Sequence, residues 1–126
     1  MITGFHSLIY SDDAEATRAF FRDVLGWPHV DAGEGWLIFK TPPSELGVHP
    51  SDGPAAQPPP ALARHQLSLM CDDLEATIAD LQAKGVEVVD EVRDEGFGIV
   101  ATIAVPAAGT MLLYQPRHPL ACELEV

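Results

Sequence analysis

Apolar positions follow two rhythms that alternate along the chain. A short run of strand formers, Leu8-Ile9-Tyr10, meets the pair Asp12-Asp13. From Ala14 to Val24 the apolar residues Ala16, Ala19, Phe20 and Val24 then recur at helical spacing. The same order returns later. Leu67-Ser68-Leu69-Met70 meets Asp72-Asp73, and Leu74–Lys84 carries Ile78 and Leu81 on one face with Gly85 as its stop. In each copy an aspartate stands where it can accept the free amides of a first helical turn. Both Asp pairs are therefore read as caps rather than as a catalytic dyad. Three strand candidates follow each helix. In the first half they are Pro28–Asp31, Trp36–Lys40 and Leu46–His49; in the second they are Val86–Val92, Gly98–Ala104 and Met111–Tyr114.

The two halves are an internal repeat of about 60 residues. His6-Ser7-Leu8-Ile9-Tyr10-Ser11-Asp12-Asp13-Ala14-Glu15-Ala16-Thr17 matches His65 to Thr77. Residues 1–126 are expected to form a single α+β domain. Module one would span 1–50, a proline-rich linker 50–62, module two 63–116 and a C-terminal tail 117–126. Two tandem βαβββ modules, each with one sheet face covered by its helix, would pair as a curved mixed sheet around a cavity.

Composition narrows the partners. With 126 residues and 47% hydrophobic positions the chain has enough apolar material for one core. No apolar run approaches the roughly 18 residues of a membrane helix, and no secretory leader is visible. A soluble, cytoplasmic protein is expected. Nineteen acidic against seven basic residues give a formal charge of -12, which disfavours nucleic acid and anionic membranes and attracts cations. Cys71 and Cys122 form neither a disulfide framework nor a zinc motif and are read as free thiols.

The His6 strand, the run from Asp13 through Phe20-Phe21 to Val24-Leu25-Gly26, and the repeat from His65 resemble the glyoxalase/bleomycin-resistance/dioxygenase (vicinal oxygen chelate) superfamily. The resemblance spans about Gly4 to Pro116. It implies the paired-module fold and a cavity for a small molecule, but spans lyases, isomerases, dioxygenases and metal-free drug-binding proteins. It also implies one divalent metal (Zn, Ni, Fe or Mn) held from the first strand of each module and from the last strands. His6 matches the first such position. In the second module, counting seven back reaches Gln66 from Asp73 or His65 from Asp72, and His65 is preferred. The relatives' usual Gly-Asn-x-x-Glu is replaced by Gly109-Thr110-Met111-Leu112-Leu113, so Leu113 stands at the usual glutamate. Glu45 and His49, in phase on one strand, are substitute ligands.

Each residue also has a plainer reading. His6 and His65 also read as hydrogen-bonded strand histidines, and Glu45 as a surface or rim residue. Trp36 is the preferred cavity aromatic, although large aromatics most often serve burial. Phe97, between Gly96 and Gly98, and Tyr114, in phase with Leu112, are ligand-wall candidates; Gln66 and Gln115 are polar ones. Arg117-His118-Pro119 either folds over a cavity or frays as a surface end. The expected activity is small-molecule binding, with a metal-dependent lyase, isomerase or dioxygenase as the alternative. A homodimer is the expected assembly.

Overall fold

The computed structural model describes residues 6–46, 48 and 65–125. Both helices start on their predicted caps. The Asp13 carboxylate accepts the Ala16 N–H at 3.1 Å and opens α1, Ala14–Ala19. Asp73 accepts the Ala76 N–H at 3.0 Å and opens α2, Leu74–Ala83. These bonds satisfy amides that have no partner within the helix. Past α2, Gly85 takes a φ of 86°, a left-handed turn that a side chain resists.

Beyond α1 the chain winds on as a π-helical turn, Phe20–Val24, so the helical stretch ends where the sequence pattern places its end. The wider winding has a packing reason. Phe20 and Phe21 are neighbours, yet both are buried, at 4% and 6% exposure, with ring centroids 5.3 Å apart. The Leu25 N–H reaches the Phe20 carbonyl five residues back.

Strands β1 (His29–Asp31) and β2 (Leu37–Phe39) form an antiparallel hairpin. The Asp31 carboxylate accepts the Gly33 and Gly35 amides across its turn. Strands β3 (Ser68–Met70), β4 (Arg93–Asp94), β5 (Gly98–Ala104) and β6 (Thr110–Pro116) make a second sheet in the order β3-β6-β5-β4. β3 runs parallel to β6 and the other pairs are antiparallel. With α1 and α2 set beside a mixed four-stranded sheet, the fold is α+β.

Three strand expectations give way. Across Val86–Val92 only a Val88–Ile103 bridge forms, and the strand appears instead at Arg93–Asp94. Asp90 explains the gap, because its carboxylate takes both the Thr102 amide and the Thr102 hydroxyl at 2.8 Å, displacing a backbone partner there. His6–Ser11 and the described part of Leu46–His49 lie in no strand. Their large apolar residues are exposed, Tyr10 and Val48 each at 88%. Pro42 and Pro43, just upstream of Leu46, remove two backbone donors. His49 and the proline-rich linker lie outside the described residues.

The core joins both helices to one face of the larger sheet. Phe20, Phe21, Leu74 and Leu81 pack with Ala101, Ile103, Met111 and Leu113. Alternation sends Val100, Thr102, Leu112 and Tyr114 to the opposite face. The first half is tied on by polar contacts as well. The buried Thr17 hydroxyl donates to the Pro106 carbonyl at 2.6 Å, and the Asp12 N–H donates to the Ala107 carbonyl at 2.9 Å.

Candidate functional site

On the sheet face turned away from α2, β6 delivers Tyr114 to a cluster of rings. Tyr114 packs edge-on against Phe97 at 5.8 Å between centroids, and lies 5.8 Å from the His118 ring. Gly98 makes room for this. A Cβ there would stand 2.5 Å from both the Tyr114 ring and the Gln115 carbonyl oxygen. Burial, and then the nearby Glu45 charge, push the Tyr114 phenol above its ordinary pKa, which keeps it a neutral hydroxyl.

Glu45 meets the cluster from the other half of the chain. Its side chain is only 16% exposed. One oxygen accepts the Ala121 N–H at 2.9 Å and the other lies 3.7 Å from His118 Nε2. A second contact fixes the imidazole, whose Nδ1 stands 2.8 Å from the Pro119 carbonyl. A carbonyl only accepts, so Nδ1 carries the proton there.

The tail that supplies His118 also roofs a cavity of about 360 Å3 at the ends of β3 and β6. Met70 and Gln115 line it from the strands, Cys71 and Asp72 from the turn before α2, His118 and Leu120 from the tail. The Cys71 thiol is directed at the Tyr114 carbonyl at 3.7 Å, and burial raises its pKa, so it is a protonated, weakly nucleophilic group. A second hollow, of about 270 Å3, lies on the helix side between Phe20, Val24, Lys84 and Val86.

The other sequence candidates fall elsewhere. Trp36 stands 66% exposed in the β1–β2 turn, with the Arg18 guanidinium of α1 over its ring at 5.0 Å. The Gln115 side-chain oxygen accepts the Leu74 N–H at 2.8 Å, so it caps α2. His6 and His65 are exposed residues outside any strand. β3 begins only at Ser68, and Gln66 rather than His65 is in phase with Ser68 and Met70, the residues paired with Leu112 and Tyr114. Leu113 is 1% exposed on the helix-packed face, and its neighbours on the open face are Leu112 and Tyr114. Neither register therefore supplies a carboxylate from β6. Among the described residues no group of three His, Cys, Asp or Glu side chains converges to hold a metal ion.

The contacts of Glu45 with His118 and Ala121 are what sequence reasoning missed. The Glu45–Ala121 contact joins positions 76 residues apart. The only signal was the Arg117-His118-Pro119 run, whose chemistry reads equally as a frayed end.

Solved structures share this fold. A lactoylglutathione lyase from Agrobacterium tumefaciens is 23% identical, with a TM-score of 0.62 over 90% of this chain and 92% of its own. An antibiotic binding protein from Streptomyces sp. CB03234 is 24% identical, with a TM-score of 0.58 over 92% and 98%. A superfamily member from Sphaerobacter thermophilus is 20% identical, with a TM-score of 0.60 over 90% and 98%. No curated protein sequence matches the chain. Among the described residues no helix is long and apolar enough to cross a membrane. A family model does match residues 5–111, most of the chain, and with the fold it places the protein in the Glyoxalase/Bleomycin resistance protein/Dioxygenase superfamily.

Proposed function

We propose that the protein binds a small organic molecule with an aromatic or cationic group against Phe97, Tyr114 and His118. The observation that carries this reading is the line of three rings ending on the shielded Glu45 carboxylate. Ring faces and edges offer stacking and cation–π attraction, and a carboxylate held mostly out of water attracts a cation more strongly than one in water. The formal charge of -12 favours the same class of ligand. The antibiotic-binding relative is a precedent for this use of the fold.

Calorimetric titration with benzyltrimethylammonium and tetrabutylammonium, against neutral aromatic alcohols of similar size, tests the reading. Saturable binding of the cations, weakened about tenfold in Tyr114→Leu, is expected. Absence of saturable binding by every probe overturns it.

The metal-dependent alternative draws on His6, His65, His49 and Glu45. Mass spectrometry of protein purified without chelator tests it. About one divalent transition metal per chain, lost in His6→Ala, turns the reading to a lyase, isomerase or dioxygenase; a metal-free protein retains the binding reading. The exposed Leu8, Tyr10, Leu46 and Val48 support a homodimer as part of the proposal, which analytical ultracentrifugation checks.

A further inference from the structure

Residues 117–124 begin just past β6 and cross back over the end of the sheet. They lie beyond the part of the chain that the family model matches, which ends at residue 111. Three fastenings hold them. The Arg117 guanidinium grips the Asp94 carboxylate with two bonds, at 2.6 and 3.0 Å. The Arg117 N–H donates to the Phe97 carbonyl at 2.9 Å. Farther along, Glu45 accepts the Ala121 N–H, the amide that opens a short 3-10 turn over Ala121–Glu123.

These fastenings differ in kind. The Arg117 pair is bidentate but solvent-exposed on both sides, 49% and 62%, so water and salt screen it. Glu45 is 16% exposed and its bond to Ala121 is charge-assisted, so it is the better shielded tie. Between the two ties, His118 and Leu120 roof the cavity of about 360 Å3.

We infer that residues 117–124 are a closing strap over this cavity, that Glu45 is its latch, and that an organic cation opens the strap by competing with the Ala121 amide for the Glu45 carboxylate. Both Glu45 oxygens already face the tail, Oε2 the Ala121 N–H and Oε1 the His118 ring, so a cation that pairs with the carboxylate displaces tail contacts. The strap thereby selects for cations strong enough to replace an internal hydrogen bond. The ligand part rests on the binding reading above; the latch part does not.

Trypsin reads the latch directly, because cleavage after Arg117 requires the strap to lift and releases peptide 118–126. Release is followed by mass spectrometry in the wild type, Glu45→Gln and Glu45→Ala. Far-ultraviolet circular dichroism monitors the helices, and amide exchange at Ala121 is measured by NMR. Losing the charged acceptor in Glu45→Ala raises both release and Ala121 exchange about tenfold, and Glu45→Gln, which keeps a neutral acceptor, falls between. Benzyltrimethylammonium raises release from the wild type and leaves Glu45→Ala unchanged. Equal release and exchange in all three folded proteins overturn the latch. Faster release in Glu45→Ala without binding of any cation overturns the binding reading and leaves the latch standing. Cation binding that slows release from the wild type overturns the competition.

Discussion

The two halves carry nearly the same opening signal and build different structures from it. Asp13 and Asp73 cap their helices with the same geometry, and the Thr17 and Thr77 amides, four residues on, each donate to their cap's carbonyl. Past the helices the likeness stops. The second half grows a four-stranded sheet whose inner face reaches zero exposure at Ala101 and Ile103. Among its described residues the first half yields the β1–β2 hairpin alone, with Val30 at 65% exposure, and leans on its partner through Phe20, Phe21 and Thr17. Local signals start elements. Whether a strand joins a sheet depends on what lies beside it.

The largest expected effect tests that asymmetry in the core. Leu113→Ala empties a fully buried site in the second half and is expected to cost about 2–5 kcal/mol, whereas Val30→Ala in the exposed hairpin should stay within about 0.5 kcal/mol. Urea denaturation of both variants measures the difference. Similar losses would break the comparison.

Next is Gly98→Ala. The added methyl meets the Gln115 carbonyl and the Tyr114 ring at 2.5 Å, so a cost of about 1–3 kcal/mol is expected, with the Tyr114 and Phe97 ring resonances shifted in NMR spectra. A variant of wild-type stability with unmoved rings would show that Tyr114 is not wedged by β5.

The caps sharpen the comparison where the halves agree. Asp13→Ala and Asp73→Ala should each lose about 1 kcal/mol in thermal unfolding, near parity despite the unequal sheets. Gln115→Ala, which strips the side-chain acceptor from the Leu74 amide, should cost about as much while leaving α1 untouched. A much larger loss for Asp13 than for Asp73 would mean that the first half depends on its cap for docking.

The smallest effect is a pH dependence in the second half. The hydrogen bonds from Arg117 and the Gly96 amide lower the Asp94 carboxyl to about 2. A lowered folded pKa means that its contribution is present above the ordinary value of 3.8 and is lost as pH falls toward 2. NMR titration of the Asp94 carboxyl should show a midpoint near 2 that returns toward 3.8 in Arg117→Ala. An unchanged midpoint in the variant would remove Arg117 as the cause.

The sequence by itself determined the local elements. Helix limits, both caps, the Gly85 stop and the full extent of β5 follow from side-chain periodicity and from the need of first-turn amides for an acceptor, and both act within a few residues. The repeat likewise carried the family. Tertiary structure alone decided the rest. Asp90 interrupts a predicted strand because Thr102, twelve residues away, offers it an amide and a hydroxyl. Gln115 was legible as a polar group, but only the approach of α2 makes it a cap. Trp36 went to Arg18 rather than to a cavity because α1 lies beside the hairpin turn. Glu45 and His118 read as rim and tail in the sequence, and meet only because the strap returns across the sheet. Contacts between distant segments depend on how whole elements pack, and no periodicity along the chain encodes that distance.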